Sequence, residues 1–258
     1  MSAPPRVVAV IPAHDEEDTV GAVVTEALRH VDRVLLVDDG SHDATGARAM
    51  ATGATVLRQD PNRGKGAALA RGLVEALALG ASYVVTLDAD GEHDASAIPA
   101  FLAALDGGAD VALGHREVYR SGARKALNAL ALFWFRLLDP AILDTICGFR
   151  AFRAGVLPGL RSDAAGFAYE HDVLIRAVSQ GLRLAAVPIA TTPRTRSHVT
   201  PRELLRANNH FDRRVLAELR ALPVPAWRKG LLAAGCAAGL ALGTPTAWLL
   251  DRRASGGG

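Results

Sequence analysis

The 258-residue chain has few of the features that define several common classes of protein. It contains only two cysteines, Cys147 and Cys236, and neither has a partner at metal-ligand spacing. A disulfide scaffold and a cysteine zinc site are therefore not supported, and a reducing compartment fits best. The formal net charge is only +2, which is too balanced for a protein that coats nucleic acid. The N-terminus carries no secretory signal, which predicts that the N-terminal part stays in the cytoplasm.

Half of the residues are hydrophobic, enough to fill a substantial core, and they follow a regular pattern. In the first half, short β-branched runs alternate with helix-length segments, which is typical of parallel strands joined by crossover helices. The sequence therefore predicts an α/β fold with a mostly parallel open sheet flanked by helices. The predicted strands are 7–11, 34–37, 55–58, 83–87, 110–114 and 184–187, and the predicted helices are 19–31, 44–51, 65–79, 96–105, 124–137, 170–180 and 201–222.

Carboxylates follow the predicted strand 83–87 on alternate residues. Asp88 and Asp90 would repel each other unless a cation or hydrogen-bond donors neutralise them, and Glu92 continues the same spacing. Carboxylate oxygens suit Mg²⁺ or Mn²⁺, which keep positions open for the phosphates of a substrate. The alternative is a solvated acidic turn that caps the next helix.

Two further predicted strands also end in polar residues. His14 and Glu16 follow the first strand, and Asp38 and Asp39 follow the second. Each group alone is also consistent with an ordinary loop, a turn at Gly40 or a helix cap. Ligands of open α/β sheets sit beyond the carboxyl ends of the strands, so three such ends predict one shared pocket.

These motifs together resemble the family 2 glycosyltransferases of the GT-A type, and within them the dolichol-phosphate or polyprenyl-phosphate sugar synthases. In those synthases, Gln usually occupies the place of Glu92. The loop at 62–66 resembles the family's Asn-x-Gly-Lys-Gly segment and lacks the spacing of a Walker loop, which disfavours an ATPase. The matching segments are 11–16, 37–41, 62–66, 87–93 and 147–150, together with Asp144, Gly166, Phe167, Glu170 and Asp172.

The resemblance implies a nucleotide-sugar donor and a divalent metal, Mg²⁺ or Mn²⁺. The metal ligands that it implies are Asp90 and Glu92, with Asp88 beside them, and Asp90 would thereby take part in catalysis. Arg116 matches the Arg of a Gly-Ser-Arg segment in the family. The residues implied to line the nucleotide sugar are Pro12, His14, Glu16, Asp38, Asp39, Lys65, Asp88, Ala89, Arg116 and Arg194.

The resemblance also implies inversion at the anomeric carbon. Whether the reaction also requires a general base depends on the acceptor. A phosphate monoester is already ionised near neutral pH, so it requires no strong general base. A sugar hydroxyl would require one, and the candidates are Asp172 and Glu170, which are also explained as an acidic pair at a helix N-terminus. The basic residues available for an acceptor phosphate are Arg124, Arg150, Arg196 and His198.

The C-terminal part contains a long uncharged run. Residues 230–250 carry no charge, and as a helix they would cover roughly 30 Å, the thickness of a bilayer core. Small residues at Gly235, Gly239 and Gly243 would permit close packing in a membrane. We therefore predict a catalytic domain at 1–222 and a hydrophobic segment at 223–258 that forms one membrane helix; a buried or peripheral helix is the alternative. The aromatic stretch 127–138 is interpreted as an interfacial or a core helix.

The leading hypothesis is a metal-dependent inverting glycosyltransferase. It would move a hexose from GDP-mannose or UDP-glucose to a polyprenyl phosphate at the cytoplasmic face of the membrane, with no nucleic-acid partner. The first alternative is transfer to a hydroxyl of a glycan, lipid or small metabolite. The second is a non-catalytic nucleotide-sugar sensor or membrane adaptor that kept the fold.

Overall fold

The computed structural model describes residues 6–116, 132–164, 166, 168–191 and 201–255, and for 201–207 and 242–255 only the backbone. One seven-stranded sheet organises the fold, in the order β3-β2-β1-β4-β6-β5-β7. All neighbouring strands are parallel except β6, which runs antiparallel to both β4 and β5. The strands are β1 Val7–Ala13, β2 Arg33–Asp39, β3 Thr55–Gln59, β4 Tyr83–Thr86, β5 Val111–Arg116, β6 Arg150–Arg153 and β7 Leu184–Ile189.

Helices cover both faces of the sheet, because the buried strands carry apolar side chains on both faces. In β1, for example, Val7, Ala9 and Ile11 point into one core and Val8 and Val10 into the other. Helices α1 Val20–Ala27, α2 Thr45–Ala51 and α4 Ile98–Asp106 pack on the first face. The second face is covered by α3 Lys65–Ala78, a helical segment at 132–138 (α5), α6 Ala168–Ser179, α7 Pro201–Glu218 and α8 Ala226–Ser255.

The predicted mostly parallel α/β sheet is confirmed, but it contains one strand, β6, that was not predicted from the sequence. Strand β6 begins at Arg150 and ends at Arg153, and it pairs with β4 on one side and β5 on the other. The segment has an arginine at each end and only Ala151 and Phe152 between them. Nothing local identifies it as a strand, since its pairing with two distant strands creates it.

The C-terminal helix differs from the predicted membrane span. No helix in the described part of the chain is long and apolar enough to cross a membrane. Leu232 and Cys236 on α8 are fully buried in the second core. A Cβ atom on Gly235 would come within 2.2 Å of Trp134 on α5, and one on Gly239 within 2.3 Å of Asp212 on α7. The small residues therefore allow α8 to pack closely against α5 and α7.

Candidate functional site

The three polar strand ends meet at one edge of the sheet. Strands β2, β1 and β4 are adjacent and parallel, so their carboxyl ends point the same way. Ala13 at the end of β1 pairs with Asp38 at the end of β2, and Val10 pairs with Thr86 at the end of β4. The crevice expected at this edge therefore lies where the sequence places its carboxylates.

Lys65, at the start of α3, links Asp88, which follows β4, to Glu170 on α6. Its Nζ lies 2.8 Å from Oδ1 of Asp88 and 3.0 Å from Oε1 of Glu170. Burial disfavours the charged amine, but the two carboxylates outweigh it and raise the pKa of Lys65. Burial likewise disfavours ionised Asp88, yet Lys65, His93 and Arg116 lower its pKa. Lys65 and Asp88 thus both stay charged across the physiological pH range.

Gly148 closes this ion cluster from the side of β6. A Cβ atom at Gly148 would come within 2.8 Å of both carboxylate oxygens of Asp88 and 2.9 Å of Lys65 Nζ. Its carbonyl also accepts a hydrogen bond from the Thr86 hydroxyl at 2.8 Å. Only glycine leaves room for the lysine and the carboxylate to meet here.

Asp38 and Asp39 are directed into the protein rather than into an open cleft. Asp38 accepts hydrogen bonds from the Ser41 amide at 2.9 Å and from Arg58 at 2.7 Å. Asp39 accepts one from Gln59 and two from the amides of residues 63 and 64, at 2.7–2.8 Å. Both are almost fully buried. In this structure they shape the loops beside the predicted nucleotide pocket, and their contact with a nucleotide stays a prediction.

Asp90 and Glu92, the predicted metal ligands, are partly exposed at the mouth of the crevice. The Glu92 amide donates to Oδ1 of Asp90 at 2.9 Å, which folds this turn. Arg116 makes a two-point hydrogen bond to Asp144 at 2.8 and 3.1 Å, and its third nitrogen lies 3.6 Å from Oε1 of Glu92. The structure therefore brings Glu92, Arg116 and Asp144 together.

The chemistry of these donors fits Mg²⁺ or Mn²⁺. A magnesium ion typically takes one or two protein carboxylates and completes its shell with water and substrate phosphates. Asp90 and Glu92 supply carboxylates of this kind at an accessible position. Within the described residues, the carboxylates of Asp88, Asp90 and Glu92 do not converge tightly enough to form a complete ligand set by themselves.

The segment after β1 is tied to the loop that carries the acidic motif. The Thr19 hydroxyl lies 2.8 Å from the carbonyl of Ala89 and 3.2 Å from a carboxylate oxygen of Glu16. Pro12 lies inside β1 and is buried, whereas His14 is exposed at the rim. Thr19 carried no signal in the sequence, because its role depends on a contact 70 residues away.

The position of Arg150 differs from the predicted phosphate contact. The side chain is 4% exposed and donates to the backbone carbonyls of Cys147, Thr145 and Glu170 at 3.0–3.3 Å. Its donors therefore fold the 145–147 loop onto α6 and are not open to a ligand in this structure.

Asp172 is also unlike a general base. Its Oδ2 accepts a hydrogen bond from Arg176 at 2.7 Å, and its Oδ1 lies 3.0 Å from Arg214 and 3.5 Å from His210. Burial raises the pKa of this carboxyl, but hydrogen bonds from His210, Arg176 and Ser162 outweigh it and hold the pKa far below its usual range. Such a weak base accepts a proton poorly. Glu170, 2% exposed and held by Lys65, is equally remote from solvent.

An open pocket of about 390 Å³ lies against α5, lined by Leu132, Phe133, Arg136 and Leu137. The aromatic stretch predicted at 127–138 includes these residues, but nothing in its sequence indicates a pocket. Four residues predicted for the site lie outside the described part of the chain: Arg124, Arg194, Arg196 and His198.

Comparison with known proteins agrees with this architecture. The chain is 25% identical to a glucosyl-3-phosphoglycerate synthase from Mycobacterium tuberculosis, with a TM-score of 0.63 over 86% of this chain and 82% of that one. A structure of that synthase with Mn²⁺, uridine diphosphate and glucosyl-3-phosphoglycerate matches with a TM-score of 0.64 at 24% identity, over 86% of this chain and 81% of the other. These similarities show a GT-A-like fold.

Curated relatives cover most of the chain. A polyprenol monophosphomannose synthase from Mycolicibacterium smegmatis is 32% identical over 73% of this chain and 78% of its own length. An undecaprenyl-phosphate mannosyltransferase from Micrococcus luteus is 30% identical over 73% of this chain and 84% of its own. The profile of Glycosyl transferase family 2 matches residues 8–165, which include all three strand ends. The chain therefore belongs to glycosyl transferase family 2, and it is a glycosyltransferase.

Proposed function

We propose that this glycosyltransferase moves a hexose, with inversion, from GDP-mannose or UDP-glucose to a polyprenyl phosphate at the cytoplasmic face of the membrane, using Mg²⁺ or Mn²⁺. The names of the curated relatives, which include a dolichyl-phosphate hexose transferase from Haloferax volcanii at 32% identity over 70% of this chain, support this acceptor class. The solved structures of the same fold that hold Mn²⁺ or Mg²⁺ support the metal.

The observation that carries the proposal is the meeting of three carboxylate-bearing strand ends at one edge of the sheet. A nucleotide sugar brings a diphosphate with two negative charges, which the partly exposed carboxylates of Asp90 and Glu92 would repel without a cation. Asp90 and Glu92 are the residues placed to hold that cation. When bound, the cation supplies charge stabilisation for the departing nucleoside diphosphate.

The residues of the chain have separate tasks in this proposal. Lys65 fixes Asp88 at the base of the crevice. Arg116, held by its two bonds to Asp144, presents positive charge beside Glu92. The leaving diphosphate would therefore meet a preorganised cationic group, which does not have to reorganise during the reaction.

The state of the two candidate bases favours a phosphate acceptor over a hydroxyl acceptor. Asp172 is bound by two arginines, and Glu170 is buried against Lys65. Neither is available to take a proton from a hydroxyl. A phosphate monoester is already ionised and needs no such residue.

Exposed apolar side chains support placement at a membrane surface. Phe133 on α5 and Trp227 and Leu231 on α8 are each about half exposed or more, at 52%, 60% and 47%. Arg228 on α8 lies over the Trp227 ring and donates to the carbonyl of Leu137 on α5, which joins the two helices. We call these three side chains, of which Phe133 and Trp227 are aromatic and Leu231 is aliphatic, the aromatic patch. An aromatic surface flanked by basic residues suits a bilayer interface, beside the pocket against α5. Location at the membrane stays a prediction, and no described helix is long and apolar enough to serve as a tail anchor that spans it.

The proposal is tested by supplying the full chain and Mg²⁺ or Mn²⁺ with radiolabelled GDP-mannose or UDP-glucose and a polyprenyl phosphate. The expected product is a labelled lipid that releases its sugar in mild acid, as a sugar joined through its anomeric carbon to a phosphodiester does. The matched control is the same polyprenol without its phosphate, which should accept no sugar. Transfer of sugar to the unphosphorylated polyprenol would instead establish that the acceptor group is a hydroxyl. Transfer to a soluble hydroxyl acceptor, with none to the polyprenyl phosphate, would establish the same. Binding of the donor without release of nucleoside diphosphate from it, whatever acceptor is supplied, including membrane lipid extract, would contradict the enzymatic function.

A further inference from the structure

Two histidines and one carboxylate meet at the rim formed by the loops that follow β1 and β2. Nε2 of His14 lies 3.5 Å from Oδ2 of Asp15, and Nδ1 of His42 lies 3.7 Å from the same oxygen. In the part of the chain that the structure describes, this is the only group of three or more His, Cys, Asp or Glu residues whose donor atoms all lie within 4.8 Å of one another. His14 is also predicted to line the nucleotide sugar, but the glycosyl transfer described above gives no role to Asp15 or His42.

The central carboxylate is held in place by both loops. The Asp15 amide donates to the Ser41 hydroxyl at 3.1 Å, and Oδ1 of Asp15 accepts the His42 amide at 2.7 Å. One carboxylate oxygen is therefore bound to the backbone, while the other lies between the two imidazoles. The rings stand edge to face with centroids 6.0 Å apart, which leaves a nitrogen of each near that second oxygen.

The distances are close to those of a bound ion. Ligands about 2.0–2.1 Å from a tetrahedral zinc ion are separated from one another by roughly 3.3 Å. The two nitrogen-to-oxygen distances here are 3.5 and 3.7 Å. His14 and His42 are exposed, with side-chain exposures of 39% and 86%, so small rotations of these side chains suffice to close the difference.

We propose that His14, Asp15 and His42 form a second divalent-cation site, specific for ions of the Zn²⁺ class. Two imidazoles and one carboxylate suit Zn²⁺ or Co²⁺, whereas Mg²⁺ and Mn²⁺ prefer oxygen ligands such as Asp90 and Glu92. Three protein ligands leave the fourth tetrahedral position to water or to an anion. A bound ion would join the loop after β1 to the loop after β2, beside the predicted nucleotide pocket.

The test is a titration of the full-length, metal-free protein with Co²⁺ and then Zn²⁺ in excess Mg²⁺. We expect one Co²⁺ per chain with the visible absorption of a tetrahedral ion, and displacement of that ion by one equivalent of Zn²⁺. His42→Ala should weaken binding at least by the roughly 10–100-fold that loss of a mere supporting group costs a metal site. His30→Ala is the matched control, because His30 also pairs with a carboxylate, Glu26 at 3.2 Å, but the described residues supply no third ligand there.

Glycosyl transfer with Mg²⁺ should be unchanged in His42→Ala, since that residue has no part in the proposed donor site. The readout is metal binding, so this site stands or fails independently of the proposed acceptor. Absence of stoichiometric Co²⁺ or Zn²⁺ binding by the wild-type protein would overturn the proposal. So would equal binding by the wild type and His42→Ala, because the ion would then lie elsewhere.

Discussion

The lysine of the 62–66 loop determines the electrostatics of the candidate site at the level of single residues. Lys65 compensates Asp88, which borders the crevice, and Glu170, which lies beneath it. Because one amine serves both carboxylates, Glu170 acts on the site through the lysine. The residue that the sequence offers as a general base is thus placed to position its neighbours.

Glu170→Gln separates these two roles. The amide keeps the shape of the side chain and an oxygen acceptor for Lys65, but it cannot take a proton. We expect turnover with a polyprenyl phosphate to fall by less than about 10-fold, whereas loss of a true general base costs roughly 10²–10⁴-fold. The measurement is kcat and KM at several pH values, and a loss in the larger range, with removal of an acidic limb from the pH profile, would assign the base to Glu170.

Asp90→Ala tests the predicted metal ligand. Removing a carboxylate that holds the cation forfeits charge stabilisation worth several kcal/mol, so metal-dependent release of nucleoside diphosphate should fall by about 100-fold or more. Asp94→Ala, four residues along the same loop, is the matched control. Asp94 caps the turn at 95–97 by accepting the Ser96 amide, so its loss affects the loop but not the cation. Unchanged turnover in Asp90→Ala, with the fold intact by circular dichroism, would remove this residue from the site.

The sequence predicted the acidic residues of the site better than their partners. Asp88 and Asp90 follow a buried run at alternate positions, and such a pattern is local and visible. The contact from Lys65 to Glu170 joins the start of α3 to α6, and the contact from Arg116 to Asp144 also closes only in three dimensions. Arg150 was assigned to a phosphate from its motif, but its side chain donates to backbone carbonyls, and no local sequence pattern indicates those contacts.

Between elements, the contact of α6 with α7 depends on a buried anion. Asp172 on α6 faces Arg176 on its own helix and Arg214 and His210 on α7, and Arg214 also pairs with Glu218. Replacing the anion removes the carboxylate partner of Arg176 and leaves Arg214 with Glu218 alone. Since the two arginines are partly exposed, we expect Asp172→Asn to lower the free energy of unfolding at pH 7 by about 2–4 kcal/mol. Arg213→Ala, an exposed neighbour, should change it by less than about 0.5 kcal/mol.

The pH dependence of this loss distinguishes charge from packing. The pKa of Asp172 is lowered in the folded protein, so its contribution is complete above its unfolded pKa of about 4 and disappears as the pH falls through the folded value. Urea unfolding between pH 7 and pH 3 should therefore show a difference between the wild type and Asp172→Asn that is largest above about pH 4 and narrows towards pH 3. A difference that is constant with pH would show that the ion pairs are not its cause.

The contact of α7 with α8 contains a carboxyl, Asp212, whose pKa is raised, in contrast to the lowered pKa of Asp172. Burial raises the pKa of Asp212 to about 6, although a hydrogen bond from Cys236 opposes the shift. The unfolded carboxyl loses its proton near pH 4, so the folded protein binds more protons between these values and stability falls as the pH rises. Asp212→Asn removes this cost.

We expect Asp212→Asn to raise the free energy of unfolding at pH 8 by up to about 3 kcal/mol, which corresponds to about two pKa units. At pH 4 the gain should shrink to less than about 1 kcal/mol, because the carboxyl is then protonated in the folded wild type and about half protonated in the unfolded chain. Urea unfolding at the two pH values measures the difference, with the exposed residue Asp163→Asn as control. A variant less stable than the wild type at pH 8 would show that the carboxylate is favourably bound between the helices.

The regular elements were predicted from periodicity, and the exceptions have specific causes. All six predicted strands exist within a few residues of their predicted bounds, because buried parallel strands read as uninterrupted apolar runs. Strand β6 was missed because only pairing defines it. The run at 230–250 was predicted to cross a membrane from its lack of charge, but a composition of small residues also suits close packing of α8 on α5 and α7.

At the scale of the whole molecule, the sheet separates two surfaces with different tasks. The carboxylates gather at the edge formed by the ends of β2, β1 and β4, while α5 and α8 carry the aromatic patch on the second face. A lipid acceptor must present its phosphate to the first region while its chain remains near the second. The proposed reaction therefore requires both surfaces, although only the first holds the predicted donor residues.

The double variant Phe133→Ser with Trp227→Ser tests the second surface. Both side chains are largely exposed, so the fold should tolerate the change, while each lost aromatic ring removes apolar area that would enter the interface. We expect co-sedimentation with vesicles of anionic phospholipid to fall by about 10-fold or more. Transfer to a long-chain polyprenyl phosphate in vesicles should fall with it.

The control is Met50→Ser with Val74→Ser, which removes two other exposed apolar residues, at 63% and 49% exposure, from α2 and α3. It should bind vesicles as the wild type does. Hydrolysis of the donor in the absence of lipid should be equal in all three proteins, because neither pair of residues contacts the crevice. Equal donor hydrolysis in all three proteins would show that neither pair of substitutions damages the donor site. If the Phe133→Ser, Trp227→Ser variant then sediments with vesicles as the wild type does, the aromatic patch is not the membrane-facing surface.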